Sequence, residues 1–225
     1  MISILLFDFD GTLADTATDL VNAVNHVREQ RNLPPLPIEE LRHFSSGGAA
    51  ALLKAGLNIA PDDPEFEDAR QSFLDHYTAH FTENTKFFPG ISDLLKRIEG
   101  KGMTWGIVTN RLTKLTTPLL EHLKISTRAA VVVCGDTTDY PKPSPLPIWH
   151  AMKHLHAKAK QCVYIGDDYR DVIAAHKAGI RSVSVRWGYR AKNDFVDRWN
   201  SDYCIKQPHE IWAVLEKIKA YYAEK

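Results

Sequence analysis

Residues 5–16 read LLFDFDGTLADT, an apolar run that ends in two carboxylates, Asp8 and Asp10, with Phe9 between them and Gly11 directly after. Carboxylates are costly at the end of a buried run, and two so close together repel, so the pattern calls for a compensating cation, a reaction, or both. Similar near-continuous apolar runs recur at ISILLFDF (2–9), MTWGIVTN (103–110), AAVVVCGD (129–136), QCVYIGDD (161–168) and RSVSVRWG (181–188). Runs of this kind mark strands buried on both faces, whereas half-exposed strands alternate apolar and polar residues. With helical patterns between them, they predict an α/β fold built on a Rossmann-like, doubly wound parallel sheet.

The crossover helices are legible from their stripes. Ile91, Leu94, Leu95 and Ile98 follow helical spacing, Val172, Ile173 and Ala175 form an apolar face stopped by Gly179, and Pro208 opens a last helix carrying Ile211, Leu215, Ile218 and Tyr222. Residues 14 to 86 break the rhythm, with no strand pattern but two long stripes, Ala17, Leu20, Val21, Val24, Val27 and Phe66, Ala69, Phe73, Tyr77, Phe81. NLPPLP and SSGG punctuate the segment. The expected organisation is a small helical domain, residues 15–86, inserted into a core made of 1–14 and 87–225, with two crossing segments as a hinge.

Composition narrows the class. The 225 residues are 44% hydrophobic, enough for a proper core, and 28 Lys and Arg balance 28 Asp and Glu. No positive field of the kind that holds nucleic acid is present, so a nucleic-acid partner is not expected. Cys134, Cys162 and Cys204 are odd in number, far apart and set in apolar stretches, which reads as reduced core thiols in the cytoplasm. No apolar run approaches a membrane span and the start lacks a signal-peptide pattern, so no membrane association is expected either. Oligomeric state leaves no mark in the sequence.

In open parallel sheets, ligands bind beyond the carboxyl ends of the strands. The polar residues at those ends are Asp8, Asp10, Gly11 and Thr12 after the first run, Thr109, Asn110 and Arg111 after the second, Lys142 in GDTTDYPKPSP after the third, and Asp167, Asp168 and Asp171 after the fourth. Hard cations such as Mg²⁺ take one or two carboxylates, with phosphate and water completing the shell. Asp8 and Asp167, with a backbone carbonyl at Asp10, suit that donor set. Lys142, the Thr109 hydroxyl and backbone N–H groups around Gly11 and Thr12 suit a phosphate. Each also has a plainer reading alone: Asp before a turn, Thr109 and Asn110 as a strand end and cap, Lys142 as a solvated loop residue, Asp168 and Asp171 as charges in a helix's first turn. Arg186, Trp187, Gly188 and Tyr189 either close one wall of this region or pack ordinarily.

DFDGT, VTN, the lysine of PKPSP and GDDYRD, in this order, resemble the four motifs of the haloacid dehalogenase superfamily of phosphatases, and the helical insertion resembles that family's cap domain. The resemblance covers essentially the whole chain. It implies that Asp8 attacks phosphorus, that Asp10 serves as acid and base, that Mg²⁺ sits on Asp8, Asp10 and Asp167, and that Thr109 and Lys142 hold the phosphoryl group. It implies support from Asp168 and Asp171. Asn110, Gly11 and Thr12, together with Ser46, Gly47 and Gly48 of the insertion, are the candidate substrate contacts; Gly47 and Gly48 are equally compatible with a plain turn. The implied partner is a small phosphate ester. Within the family the chain is similar to the phosphoglycolate phosphatase group and to a subgroup acting on N-acetylmuramic acid 6-phosphate. Mononucleotides, a sugar-phosphate mutase and a phosphoryl-accepting module are the alternatives, the last disfavoured by the Asp8 and Asp10 pair.

Overall fold

A computed structural model describes residues 2–190 and 196–223. Its strands are β1 (Ile4–Phe7), β2 (Ala14–Asp15), β3 (Lys86–Phe87), β4 (Thr104–Val108), β5 (Val132–Val133), β6 (Cys162–Gly166), β7 (Arg181–Val185) and β8 (Tyr203–Ile205). Its helices are α1 (Ala17–Gln30), α2 (Ile38–Leu41), α3 (Gly48–Leu57), α4 (Phe66–His80), α5 (Ile91–Gly100), α6 (Thr113–His122), α7 (Leu146–His154), α8 (Tyr169–Ala178) and α9 (Ile211–Ala223). The chain divides into two compact units among the described residues: 2–14, 87–188 and 196–223 form one, and 15–86 with 189–190 the other.

The first unit is a six-stranded sheet in the order β5-β4-β1-β6-β7-β8, parallel at each pairing. All four β1 residues are buried because both sheet faces are covered. Ile4 and Leu6 pack with Val108, Tyr164 and the α7 and α8 residues Ile148 and Ala174. Leu5 and Phe7, equally buried, alternate to the opposite face. Burying each such side chain stabilises the fold by about 1.5–3 kcal/mol. After β5 the chain returns to the other side of β1 to form β6, so the first strand stands where the order reverses, with the carboxyl ends of β4, β1 and β6 side by side.

Four expectations need correction. The run 129–136 forms only the two-residue β5, and β8, whose sequence YCI is too short to signal itself, adds a sixth strand. Residues 14 to 86 are not strand-free: Ala14–Asp15 and Lys86–Phe87 pair into a two-stranded sheet where the chain leaves and rejoins the first unit. Cys204, on the edge strand β8, is exposed, while Cys134 and Cys162 are buried. The last helix also begins later, since Pro208–Glu210 form a single 3₁₀ turn before α9.

The second unit holds α1 to α4. The α1 stripe Ala17, Leu20, Val21, Val24, Val27 and the α4 residues Phe66, Ala69, Phe73, Tyr77 are buried, as their helical spacing requires. Asp19 ties the two ends of the insertion, accepting from the backbone N–H of Thr85 at 2.9 Å and its hydroxyl at 2.9 Å. Ser46 and Gly47 lie in a 3₁₀ turn, Arg42–Gly47, that runs directly into α3; Gly48 opens α3 at φ +63°, a conformation that favours glycine. Among the described residues no helix is long and apolar enough to cross a membrane.

Candidate active site

The end of β1 places Asp8 beside Ile165 of β6, whose carbonyl accepts the Asp8 N–H at 2.9 Å. The Asp8 carboxylate accepts the Phe9 N–H at 2.8 Å and meets the Lys142 ammonium at 2.9 Å. Lys142 also donates to Asp171 at 2.7 Å and to the Tyr164 hydroxyl at 2.8 Å, and Tyr164 in turn donates to the Val108 carbonyl at 2.6 Å. Lys142 comes from a loop without regular structure, and Asn110 holds that loop: its side-chain oxygen accepts the Lys142 N–H and its amide donates to the Lys142 carbonyl, each at 2.9 Å.

Lys142 is 3% exposed and Asp171 2%, so their charges interact at low dielectric. Burial pushes the Asp8 carboxyl up to about 7, with repulsion from Asp171 and Asp10 adding to it and Lys142 opposing it. Burial likewise raises Asp171. For Lys142 burial favours the neutral amine, but Asp171 and Asp8 more than offset this and hold it protonated above its ordinary value. One ammonium thus serves two carboxylates.

Asp167, 1% exposed, is fixed by the Thr12 hydroxyl, which donates to it at 2.9 Å. Two glycines make its cradle. A Cβ on Gly11 would lie 2.1 Å from the Asp167 Oδ2, and one on Gly188 would lie 2.3 Å from its Cβ. Gly11 also adopts φ +78°, so a side chain there meets both a clash and a strained backbone. Asp8, Asp167 and Asp171 bring one carboxylate oxygen each within 4.8 Å of one another. Five carboxylates, Asp8, Asp10, Asp167, Asp168 and Asp171, gather at these strand ends, and ion pairs with Lys142, Arg111 and Arg170 engage Asp8, Asp10, Asp168 and Asp171. A hard divalent cation fits this oxygen-only donor set.

Asp10 makes a two-pronged ion pair with Arg111, Nε to Oδ2 at 2.9 Å and the terminal nitrogen to Oδ1 at 2.6 Å. Thr109 is 2% exposed, and its hydroxyl oxygen accepts the Arg111 N–H at 3.2 Å. Asp168 caps α8, accepting from Arg170 N–H at 2.8 Å, while its own N–H goes to the other oxygen of Asp171 at 3.1 Å. The Arg170 guanidinium beside Asp168 holds that carboxyl below its ordinary value against the opposing effect of burial. Asp168 and Asp171 thus both stand at the start of α8, Asp168 as its cap and Asp171 in its first turn with one oxygen on Lys142. Gly11 donates its N–H to Ala14 at 3.0 Å, and the Thr12 carbonyl accepts from Trp187 at 3.0 Å, so these residues form the turn that seats Asp167. Ser46, Gly47 and Gly48 belong to the helical unit.

Three contributions escaped the sequence pattern. Arg111 was legible only as the residue after VTN, and its partner lies 101 positions away. Asn110 serves here to position Lys142, which nothing in its neighbours signals. Tyr164 did carry a signal: a hydroxyl inside the aliphatic run CVYIG must find a buried partner.

A family model described as haloacid dehalogenase-like hydrolase matches residues 5–185. An N-acetylmuramic acid 6-phosphate phosphatase of Pseudomonas aeruginosa is 36% identical over 213 residues, covering 95% of this chain and 94% of that protein. A phosphoglycolate phosphatase of Xanthomonas campestris pv. campestris is 38% identical over 208 residues, covering 92% and 94%. The crystal structure of a predicted phosphoglycolate phosphatase from Haemophilus somnus shares the fold, with a TM-score of 0.84 at 23% identity, covering 95% of this chain and 98% of that one. The chain belongs to the haloacid dehalogenase-like hydrolases. Within them its relatives place it among the phosphoric monoester hydrolases.

Proposed function

We propose that the protein hydrolyses a small phosphate monoester in two displacements, with Asp8 as nucleophile and Asp10 as acid and base. The observation that carries this reading is the buried Asp8 held at 2.9 Å from the Lys142 ammonium, with Asp10 two residues on and Asp167 on the neighbouring strand end. An Asp8 oxygen attacks phosphorus and the ester P–O bond breaks, while Asp10 gives its proton to the departing oxygen. Water then attacks the aspartyl-phosphate, Asp10 takes the proton, and Asp8 leaves as a carboxylate with release of phosphate. Lys142 and Thr109 hold the phosphoryl oxygens, and Asp171 and Tyr164 hold Lys142.

Mg²⁺, held by Asp8, Asp167 and the Asp10 carbonyl, would screen the nucleophile from the phosphate it attacks. The convergence of three carboxylate oxygens and the raised proton affinity of Asp8 support a cation there. Asp171 is the less suited ligand, since one oxygen faces Lys142 and the other an N–H. The helical unit acts as the cap that selects substrate.

The first substrate candidate is 2-phosphoglycolate, the substrate named for the 38% identical relative. N-acetylmuramic acid 6-phosphate is the second, favoured by the relative that is 36% identical over 95% of this chain. Phosphate release from these two, from hexose phosphates and from mononucleotides, with and without Mg²⁺, tests both. A preference of orders of magnitude identifies the substrate; absence of Mg²⁺-dependent turnover on every ester sinks the reading.

A further inference from the structure

The pair formed by Asp10 and Arg111 conflicts with the task assigned to Asp10. Both oxygens of the carboxylate face the guanidinium, at 2.9 and 2.6 Å, and the two side chains are only 16% and 7% exposed. A carboxyl that passes a proton to a leaving oxygen must first hold that proton and turn an oxygen to that atom, and the two-pronged pair opposes both by holding Asp10 as a fixed carboxylate. Simply breaking the pair leaves a poorly solvated guanidinium without its counter-charge, which is strongly unfavourable. Exchanging one carboxylate for another avoids that penalty, because charge and fork geometry are both conserved.

We propose that Arg111 is a specificity-determining residue that holds Asp10 in the resting enzyme and exchanges it for a carboxylate carried by the substrate, so that only a carboxylate-bearing phosphomonoester releases Asp10 to the leaving oxygen. This rests on the phosphatase reading above and narrows its substrate class. Both substrates named there carry a carboxylate, one on the glycolyl carbon and one on the lactyl ether. An ester without a carboxylate brings only the phosphoryl group that Lys142 and Thr109 hold, so Arg111 gains no partner in exchange and Asp10 stays held. The selection acts on the chemical step, so it belongs in kcat as well as KM.

Matched esters provide the test. The full-length enzyme with Mg²⁺ is compared on 2-phosphoglycolate against 2-hydroxyethyl phosphate, and on N-acetylmuramic acid 6-phosphate against N-acetylglucosamine 6-phosphate. The expected result is a preference of at least 100-fold in kcat/KM for the carboxylate member of one pair, with at least tenfold of it in kcat. Arg111→Gln should reduce that preference to within about threefold, the carboxylate ester losing far more than its carboxylate-free partner. Arg111→Lys should recover part of it, since an ammonium keeps the charge but not the fork.

Turnover of both members at similar rates by the unaltered enzyme overturns the exchange while leaving the phosphatase reading intact. Equal losses on both members in Arg111→Gln, with the preference unchanged, also overturn it and reduce Arg111 to a support for Asp10. No turnover of any phosphomonoester removes the phosphatase reading and this inference with it. A thermal melt of each variant alongside the kinetics separates misfolding from altered preference. If Arg111→Gln does not fold, an unchanged preference in a folded Arg111→Lys overturns the proposal.

Discussion

Asn110 grips the backbone of Lys142 from both sides, accepting its N–H and donating to its carbonyl at 2.9 Å each, although the two residues lie 32 positions apart. The buried ammonium is therefore aimed from its own main chain as well as from its tip. Asn110→Ala removes both bonds and leaves two partly buried backbone groups unpaired, at about 1–3 kcal/mol. We expect the unfolding free energy from urea titration to fall by that amount and kcat to fall about 10- to 100-fold with KM little changed. Unaltered kcat would show that Lys142 needs no such grip.

Lys142 lies between two buried carboxylates, so removing it is worse than removing the whole pair. Lys142→Met should destabilise the fold by about 3–5 kcal/mol, because Asp8 and Asp171 then face apolar atoms and one another. Adding Asp171→Asn should return most of that stability without returning any turnover. Equilibrium unfolding of the single and double variants checks this; a single variant within about 1 kcal/mol of the parent contradicts it.

The raised Asp8 carboxyl makes the metal-free protein pH-sensitive in a definite direction. Its folded value of about 7 lies above the ordinary 3.8, so between those limits the folded state binds the extra proton, and stability contributed by this group falls as pH rises. The cost is complete above about pH 7 and absent below about pH 4. Asp8→Asn removes it. In the metal-free state we expect Asp8→Asn to melt several degrees above the unaltered protein at pH 8 and level with it near pH 4. Mg²⁺ should raise the melting temperature of the unaltered protein at pH 8 and close most of that gap, with a much smaller effect on Asp8→Asn. Coincident melting curves of the two at pH 8 without metal would falsify the assignment of strain to Asp8.

Gly188 faces the backbone side of Asp167, where a Cβ would come within 2.3 Å of the Asp167 Cβ. That atom is close to the main chain and cannot swing aside as a side-chain tip can. Gly188→Ala should displace Asp167 and weaken Mg²⁺ binding by about 10- to 100-fold, the range typical of disturbing a ligand's support. Calorimetric titration with Mg²⁺ measures it directly, and an unchanged affinity would remove Asp167 from the ligand set.

The division of information between sequence and fold follows from the range over which each force acts. Near-continuous apolar runs, helical stripes and stop signals such as Gly179 are local, and they specify a doubly wound sheet with a helical insertion and put Asp8, Asp10, Thr109 and Asp167 at strand ends, with Lys142 in the loop after β5. Short elements escaped because two or three residues carry no period: β5, β8 and the pair β2 and β3 exist through partners elsewhere in the chain. The exposure of Cys204 followed from the same omission, since its strand proved to be the sheet's edge. Only the tertiary structure decided which cation meets which carboxylate. Arg111 reaches Asp10 across 101 positions and Lys142 reaches Asp171 across 29, while Gly188 closes on Asp167 from beyond β7. Charge pairing depends on distance in space and on the exclusion of water, and neither is written in the order of residues along the chain.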